Sequence, residues 1–368
     1  MKKRVCITNC VLVDRRSPFH LNNVSITLEE GRIIAIGNEI ERDAIIVDLQ
    51  GDYLSAGWMD LHTHVNPSTT IGLDPDLIGI KQGVSLVVDA GSCGADNIDE
   101  FMEITQSSVT RIRLFLNVSK KGLTVLNELV NPEDINNNIN RAVIDRYREA
   151  IVGLKVRASA SVMGNNFDQP FEQARLLADA TELPIMVHIG NAPPKLNDVL
   201  KHLKSKDIIT HCFHGKASRI TSDEMTFDDV EKARKRGIRF DIGHGNASYS
   251  LDTYQEAIRL GLSFESISSD LHQGSIHNPV HSLSEVMDKL VALNLPFDDV
   301  VERVTGVVAD MINLQDMGTV KVGNVADFTH FRLERGETIG MDSERNPIQM
   351  QVRFAPVATW VDGKEYRI

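Results

Sequence analysis

Apolar, strand-like runs alternate with polar, helix-like stretches through the middle of the chain. The runs are WMDLHTHV, SLVVDAGS, RLFLNVSK, IVGLKVRAS, PIMVHIGN, IITHCFHG, RFDIGHG and SISSDLHQ. Amphipathic segments such as FEQARLLADATE and FDDVEKARKRG separate most of them. Eight strands alternating with helices over residues 53–314 predict an α/β fold, a (β/α)8 TIM barrel. An open doubly wound sheet is the alternative, but no GxGxxG sequence follows the first run.

The two ends of the chain show a different pattern, with short β-branched runs, frequent turn residues and no helical period. Residues 4–50 contain RVCITNCVLVD and NNVSITLEEGRIIAIGN, and the last fifty residues contain GTVKVGNVADFTHF and MQVRFAPVATWVDGKEY. A chain of 368 residues exceeds what one core comfortably holds. We therefore predict a small β-sandwich domain built from residues 1–52 and 315–368, beside the barrel.

The amino-acid composition limits the classes of molecule that the protein is expected to bind. The formal net charge is -12, and no Lys/Arg-rich block interrupts the chain, so nucleic acid or an anionic membrane is an unsuitable partner. The basic start MKKRVCITNCVLVDRR lacks an A-x-A-like cleavage site and is predicted to be a first strand. No run approaches the ~20 apolar residues of a membrane span. Four cysteines without a CxxC favour a reducing cytoplasm, and the expected partner is a small-molecule substrate.

The candidate chemistry lies where the predicted strands end. In GWMDLHTHV, His62 and His64 are two residues apart, so a strand would project both imidazoles from one face. Strand five ends in His188, strand six in His211 and strand eight in Asp270. Each alone could be a core histidine or a helix-capping aspartate. Together at one rim of a barrel they predict a metal site.

Lys155 lies between apolar neighbours in the run IVGLKVRAS, where an ammonium ion would be costly to bury. Desolvation favours the neutral amine, which can add carbon dioxide and become a carbamate with two anionic oxygens. Such a group can bridge two metal ions. The alternative is a lysine paired with a neighbouring Asp or Glu.

With these features the chain resembles the amidohydrolase superfamily, in its dihydroorotase-like branch of amidohydrolases and deacetylases. The resemblance rests on the split β-sandwich, DLHTH, the strand-four lysine, the two single histidines, the strand-eight aspartate and GTVKVGNVADF. It implies two divalent ions, by default zinc. His62, His64 and Asp270 would hold the more buried ion, His188 and His211 the more exposed one, and carboxylated Lys155 would bridge them. A metal-bridging hydroxide would be the nucleophile, and Asp270 would be the catalytic proton shuttle.

Substrate recognition is expected in the loops that follow the strands. Dihydroorotases carry an arginine two residues after HxH to grip the substrate carboxylate, and this chain has Asn66 there. Arg157 shares a face with Lys155 and could hold a carboxylate, although a structural salt bridge at the rim is an equal alternative. His244 and His277 are further candidates, together with Asn246 and His272.

The overall pattern resembles the branch that includes deacetylases and esterases of small acetylated acids, and this resemblance implies removal of an N-acyl or O-acyl group, most simply acetyl, from a small carboxylate-bearing compound. The alternatives are a purine (adenine) deaminase, whose relatives usually have a glutamate where this chain has Lys155, and a dihydroorotase-like cyclic amidohydrolase. A metal-free scaffold protein is a further class, but such proteins lose ligand residues and this chain retains them all. A homo-oligomer is expected.

Overall fold

The computed structural model describes residues 4–41 and 43–368, so residues 1–3 and 42 of the predicted sandwich segment lie outside the described residues. The strands are β1 Arg4–Leu12, β2 Asn23–Glu29, β3 Arg32–Gly37, β4 Ile45–Asp48, β5 Tyr53–Ala56, β6 Trp58–Thr63, β7 Val84–Ala90, β8 Arg111–Asn117, β9 Ile151–Ala158, β10 Ile185–Ile189, β11 Ile208–Thr210, β12 Arg239–Phe240, β13 Phe328–Met341, β14 Pro347–Val361 and β15 Lys364–Arg367.

The helices lie almost entirely in the middle of the chain. They are α1 Pro75–Ile78, α2 Ile98–Ser107, α3 Asn137–Arg146, α4 Ala160–Met163, α5 Asp168–Thr181, α6 Leu196–His202, α7 Glu224–Lys235, α8 Leu251–Arg259, α9 Leu283–Ala292, α10 Phe297–Glu302 and α11 Gly306–Met311. Short 3-10 turns cover Ile80–Gln82, Gly122–Thr124 and Pro132–Asp134.

The middle of the chain forms a curled parallel sheet in the order β12-β11-β10-β9-β8-β7-β6. Its strands are nearly continuous apolar runs because helices cover the outer face, so both faces are buried. The seventh strand is shorter than predicted, with only Arg239–Phe240 in regular pairing. The predicted eighth strand forms only isolated bridges, from Ser266 to Asp241 and from Leu271 to Thr63.

These bridges still join the segment 266–271 to both edges of the sheet. His244 N donates to Ser268 O on one side, and His64 N donates to Leu271 O on the other. The hydrogen bonds stop being regular here because the chain turns sharply, with Asp270 at φ 51°. The segment therefore delivers Asp270 next to β6, although it is not itself a regular strand.

The two ends of the chain meet in a second sheet, in the order β15-β14-β13-β5-β1-β2-β3, with β4 paired to β1. Strand β5, at the start of the segment predicted to form the barrel, belongs to this sheet, where it pairs with β1 and β13. A separate apolar cluster that includes Ile7, Phe328 and Trp360 lies under it. The split contribution of both termini to one sheet agrees with the sequence pattern.

Strands β13 and β14 form a hairpin that extends beyond this sheet and packs against α9. Its tip reaches the loop before α8, where the backbone amides of Ser248 and Tyr249 donate to Ser343 Oγ at 3.0 Å. Asp342 accepts from Leu251 N, and Glu344 accepts from Ser250 Oγ. A segment remote in sequence thus braces the loop that follows β12.

Within residues 4–41 and 43–368, no helix is both long enough and apolar enough to cross a membrane.

Candidate metal centre and active site

His62 on β6 and His64, which directly follows that strand, both point toward one carboxylate. The Nε2 atoms of His62 and His64 lie 3.4 Å and 3.2 Å from Asp270 Oδ1. Neighbouring residues of a regular strand point to opposite faces, so His62 and Leu61 would be expected on different sides of β6. Leu61 nevertheless packs in the same apolar cluster as Met186, and Met186 contacts Lys155 in the site. His62 and Leu61 therefore lie toward the same side. The pairing of β6 with β7 is irregular between Asp60 and Thr63, and such irregularities re-aim side chains.

The hydrogen bonds of His62 determine its tautomer. Its Nδ1 lies 2.8 Å from Thr210 Oγ1, and the Thr210 hydroxyl donates its single hydrogen to Asp241 Oδ2 at 2.7 Å. Thr210 must therefore accept a hydrogen from Nδ1, and Nε2 carries the lone pair. Asp241 is also held by the hydroxyls of Ser266 and Ser268. Hydrogen bonds thus connect the Asp241 carboxylate, the Thr210 hydroxyl and the His62 imidazole, and such a connection commonly orients a histidine that binds a metal.

His211 has a buried nitrogen without a partner. Its Nδ1 bonds Gly243 O at 2.6 Å, which makes Nε2 the unprotonated atom, and no hydrogen-bond partner of Nε2 exists among the described residues. His211 and Asp270 both have left-handed backbone conformations, with φ 65° and 51°. Such conformations cost about 1–3 kcal/mol each and tend to occur at functional sites. A metal ion would satisfy the orphaned Nε2.

His188 completes the histidine group, with its ring centroid 4.3 Å from that of His211. His62 and His211 are 4.9 Å apart by the same measure. Burial lowers the pKa of His211 to about 4 and lowers the pKa of His62 and His188 well below the usual value. All three imidazoles are therefore neutral at pH 7, which is the form that binds metals.

Lys155 on β9 is 1% exposed, and its Nζ lies 3.3 Å from both His62 Nε2 and Met186 Sδ. Burial lowers the pKa of this amine to about 7, against the opposing effect of the Asp270 charge. A Cβ on Gly91 would lie 2.6 Å from Lys155 Cγ, so only glycine fits beside the lysine stem. The sequence left two alternatives for Lys155, a carbamate on a neutral amine or a salt bridge with a neighbouring Asp or Glu. Within the described residues, the structure shows no salt bridge to this lysine.

Asp270 supplies the carboxylate of the site, and opposing effects act on its pKa. Burial acts to raise its pKa, but the hydrogen bond with His64 and the positive charge that the surrounding histidines carry when protonated at low pH outweigh burial and lower the pKa. Its backbone N donates to His62 O at 2.8 Å, and neighbouring Ser269 N donates to Asp60 Oδ1 at 3.0 Å. The carboxylate is thus ionised and held by its own main chain.

The structure brings together all six residues predicted to bind metal. The ligand atoms of His62, His211 and Asp270 lie within 4.8 Å of one another. Lys155 adjoins His62, His64 adjoins Asp270, and His188 adjoins His211. The donor set of imidazoles and carboxylate, with one orphaned Nε2, suits a divalent transition metal.

The four residues predicted to bind substrate differ from one another in burial and in their contacts. Arg157 forms a bidentate ion pair with Glu128, with two N–O distances of 2.7 Å, so the alternative of a rim salt bridge is the one observed. His244 is fully buried, stacks on Tyr249 and lies 3.3 Å from Lys289 Nζ. Asn66 is buried with an unpartnered Nδ2, whereas His277 is exposed.

Sequence reasoning missed several residues that shape the site. Thr210 and Asp241 orient His62, and Lys216 lies near His188 in the loop after β11. Asp241 follows directly after β12, and polar residues at strand ends were the signal that could have identified it. Lys216 had no such signal, because it lies five residues beyond His211 in a loop.

Replacement of Thr210 by valine should lower metal affinity by about 10- to 100-fold, because His62 would lose the acceptor that sets its tautomer. The measurement is metal retention during titration with a chelator. Thr181→Val is the control, since Thr181 is a buried threonine on α5 that donates to Leu177 O. Equal retention in the two variants would show that Thr210 does not support the centre.

Comparisons with known proteins agree with this site. No protein-family model matches the chain. A deacetylase of Enterococcus faecalis is 34% identical over 350 residues, which cover 93% of this chain and 95% of that protein. A dihydroorotase structure is 34% identical at a TM-score of 0.92, covering 100% of this chain and 98% of that one. An adenine deaminase structure is 32% identical at a TM-score of 0.94 and covers 100% of both chains.

This similarity extends over nearly the whole length of each protein, and the residues predicted to bind metal converge at the ends of the parallel strands. The chain therefore belongs to the amidohydrolase superfamily and is a metal-dependent hydrolase that acts on C–N bonds.

Proposed function

We propose that the protein removes an acyl group, most simply acetyl, from the nitrogen or oxygen of a small carboxylate-bearing compound. The observation that carries the proposal is the buried Lys155 amine, which lies 3.3 Å from His62 Nε2 and forms no salt bridge among the described residues. It supports a lysine-bridged pair of metals rather than the glutamate-containing site usual in adenine deaminases of this fold. The deacetylase of Enterococcus faecalis supports the same reaction.

The residues divide between two metal positions. His62, His64 and Asp270 would hold one ion, and His188 and His211 would hold the second. Neutral Lys155 would add carbon dioxide with loss of a proton, and the carbamate would bridge the two positions. Bound divalent ions supply an activated water and polarise the scissile carbonyl.

Asp270 is the residue that moves the proton. Its lowered pKa leaves the carboxylate ionised and able to accept a proton at Oδ1 or Oδ2. It then returns that proton to the departing amine or alkoxide, which would otherwise leave as a poor anion. The hydrogen bond from the Asp270 backbone N to His62 O, at 2.8 Å, fixes the position of this residue during both transfers.

The second candidate is adenine deamination, favoured by the structural similarity to an adenine deaminase at 32% identity. Cyclic amide hydrolysis is a third, from the similarity to a dihydroorotase. Asn66 stands where dihydroorotases carry their carboxylate-binding arginine, and this argues against that third activity.

A substrate screen separates these reactions. Metal-loaded protein would be incubated with N-acetyl amino acids, acetylated hydroxy acids, cyclic amides and aminopurines. Release of acetate from the first two classes is expected. Release of ammonia from aminopurines without acetate release elsewhere would replace the proposal with the deaminase, and inactive protein without bound metal would indicate a scaffold.

Protein produced with zinc should contain close to two divalent ions per chain, because six ligand residues exceed the four of one tetrahedral ion. Elemental analysis measures this ratio. The ligand set also admits manganese, iron or cobalt, so the total matters more than the element. A ratio of one in fully active protein would contradict the binuclear site.

We propose that the curled sheet and its bridging segment form a complete (β/α)8 barrel that begins at β6, after β5 at residues 53–56, and extends to residue 314. The terminal segments 1–52 and 315–368, with β5, would form a small β-sandwich domain. All four cysteines are free and buried, which supports a reducing cytoplasmic location. A homo-oligomer remains our expectation for the assembly.

A further inference from the structure

The space above Gly190, directly after β10, is lined by polar atoms from β10 itself and from two loops. A Cβ placed on Gly190 would lie 3.3 Å from His188 Nε2, 3.3 Å from Lys216 Nζ and 3.7 Å from Ser159 Oγ. We call this space the Gly190 cradle. The three polar atoms therefore lie beside the Gly190 backbone, on the side where a larger residue would carry its Cβ.

Neighbouring strands deliver these atoms to the same place. Ser159 follows β9, His188 lies on β10, and Lys216 follows β11, and the three strands are adjacent in the sheet. Ser218 Oγ donates to Gly190 O at 2.7 Å and ties the Lys216 loop to the end of β10. The cradle therefore adjoins the metal centre on the His188 side, at the carboxyl ends of the strands where substrates bind.

Lys216 is a cation without a counter-ion of its own. Within the described ranges its Nζ has neither a hydrogen-bond acceptor nor a carboxylate within salt-bridge distance. Burial lowers its pKa, and the charge of Asp270 acts in the opposite direction. Asp270 already contacts His62 and His64, so it does not pair with this lysine.

Arg157, unlike Lys216, already has a carboxylate partner, although the sequence made it the candidate for binding a substrate carboxylate. Glu128, whose side chain is 0% exposed, pairs with Arg157 Nη2 at 2.7 Å. Arg157 Nη2 also donates to Leu126 O at 2.9 Å. Its charge is already neutralised, and a substrate carboxylate would have to compete with a buried bidentate partner.

We propose that Lys216 Nζ, with Ser159 Oγ beside it, binds the substrate carboxylate in the Gly190 cradle and so determines the preference for acidic substrates. This inference rests on the proposed function. The ammonium ion supplies the charge, and the serine hydroxyl supplies a second donor to the other carboxylate oxygen. Because the cradle adjoins His188, the carboxylate must lie only a few bonds from the scissile carbonyl.

The test compares acidic and neutral substrates in Lys216→Met, which keeps the length of the side chain and removes its charge. The substrates are the best acyl acid from the screen and its primary amide. We expect kcat/KM for the acid to fall at least about 30-fold, mainly through KM, because a charge-assisted contact is lost. The amide should change by less than about 3-fold, and Lys216→Arg should restore part of the loss with the acid.

Lys201→Met is the matched control, since Lys201 is an exposed lysine on α6 whose partner is Asp198. Metal content should be the same in all these proteins. An equal loss with acid and amide, or an unchanged preference for the acid, would overturn the assignment of Lys216.

A binding measurement separates this inference from the proposed function. N-methylsulfonylglycine carries the carboxylate but no hydrolysable acyl group, and calorimetry reports its affinity for each metal-loaded protein. Lys216→Met should weaken this binding, and equal affinity in both proteins would overturn the inference. If the wild-type protein cleaves neither acid nor amide, the proposed function fails, while this titration still decides the role of Lys216.

Discussion

Replacement of Lys155 by alanine should abolish nearly all activity and release at least the ion assigned to His188 and His211. The amine is buried among His62 and Met186, and none of the other assigned ligands can bridge the two positions from β9. Two divalent ions near each other need an anionic bridge to offset their charge, and the carbamate would be that bridge. Elemental analysis and turnover are measured on the same sample.

A short carboxylic acid added to Lys155→Ala should restore part of both metal content and turnover, because its carboxylate can occupy the space of the missing carbamate. Lys289→Ala is the control for metal content. Lys289 is a second fully buried lysine, but its Nζ contacts Pro279 O, Glu285 and His244 and none of the six residues predicted to bind metal. Its variant should retain metal and show no response to the acid.

Mass measurement tests the same bridge in the unaltered protein. A carbamate adds the mass of carbon dioxide to Lys155. Bare Lys155 in fully metallated and active enzyme would refute the bridge, and with it the reason proposed for a lysine in a buried strand.

Replacement of Asp270 by asparagine should lower turnover by about 10² or more, the usual scale of acid–base assistance. Asparagine keeps the volume and one ligating oxygen but cannot accept the proton. Much of the metal should therefore remain, because His62 and His64 are unchanged. The measurement is kcat beside metal content.

Asp288→Asn is the matched control. Asp288 is a buried aspartate on α9 that accepts from Phe354 N at 2.7 Å, and burial raises its pKa to about 7. It lies outside the proposed active site, so turnover should change little. If Asp270→Asn retains wild-type turnover, Asp270 is not the proton shuttle.

The main features of the fold could be predicted from the sequence because each depends on local patterns. Alternation of apolar runs with amphipathic segments identified the strands of the curled sheet, and the β-rich ends indicated the shared terminal sheet. The candidate ligands could be found because they lie on those strands or directly after them, and the ends of parallel strands meet at one edge. Lys155 was recognisable because burying an amine between apolar neighbours is costly unless the amine has a partner or a role.

Features that depend on contacts between distant segments required the tertiary structure. The segment 266–271 was expected to form a strand, but its local pattern could not show the sharp turn at Asp270 that limits it to isolated bridges. The hairpin tip that braces the loop before α8 lies more than ninety residues further along the chain.

The two basic residues considered as carboxylate binders show the same division. The sequence could place Arg157 on the face of Lys155, but it could not show that Glu128, in a separate loop, already neutralises it. Nor could it show that Lys216 meets His188 and Ser159 around Gly190. Periodicity determines which face of a strand a side chain occupies, whereas pairing between loops depends on packing across the whole fold. The sequence alone therefore identified the candidate metal ligands, and only the tertiary structure showed that Arg157 is paired with a carboxylate whereas Lys216, among the described residues, is not.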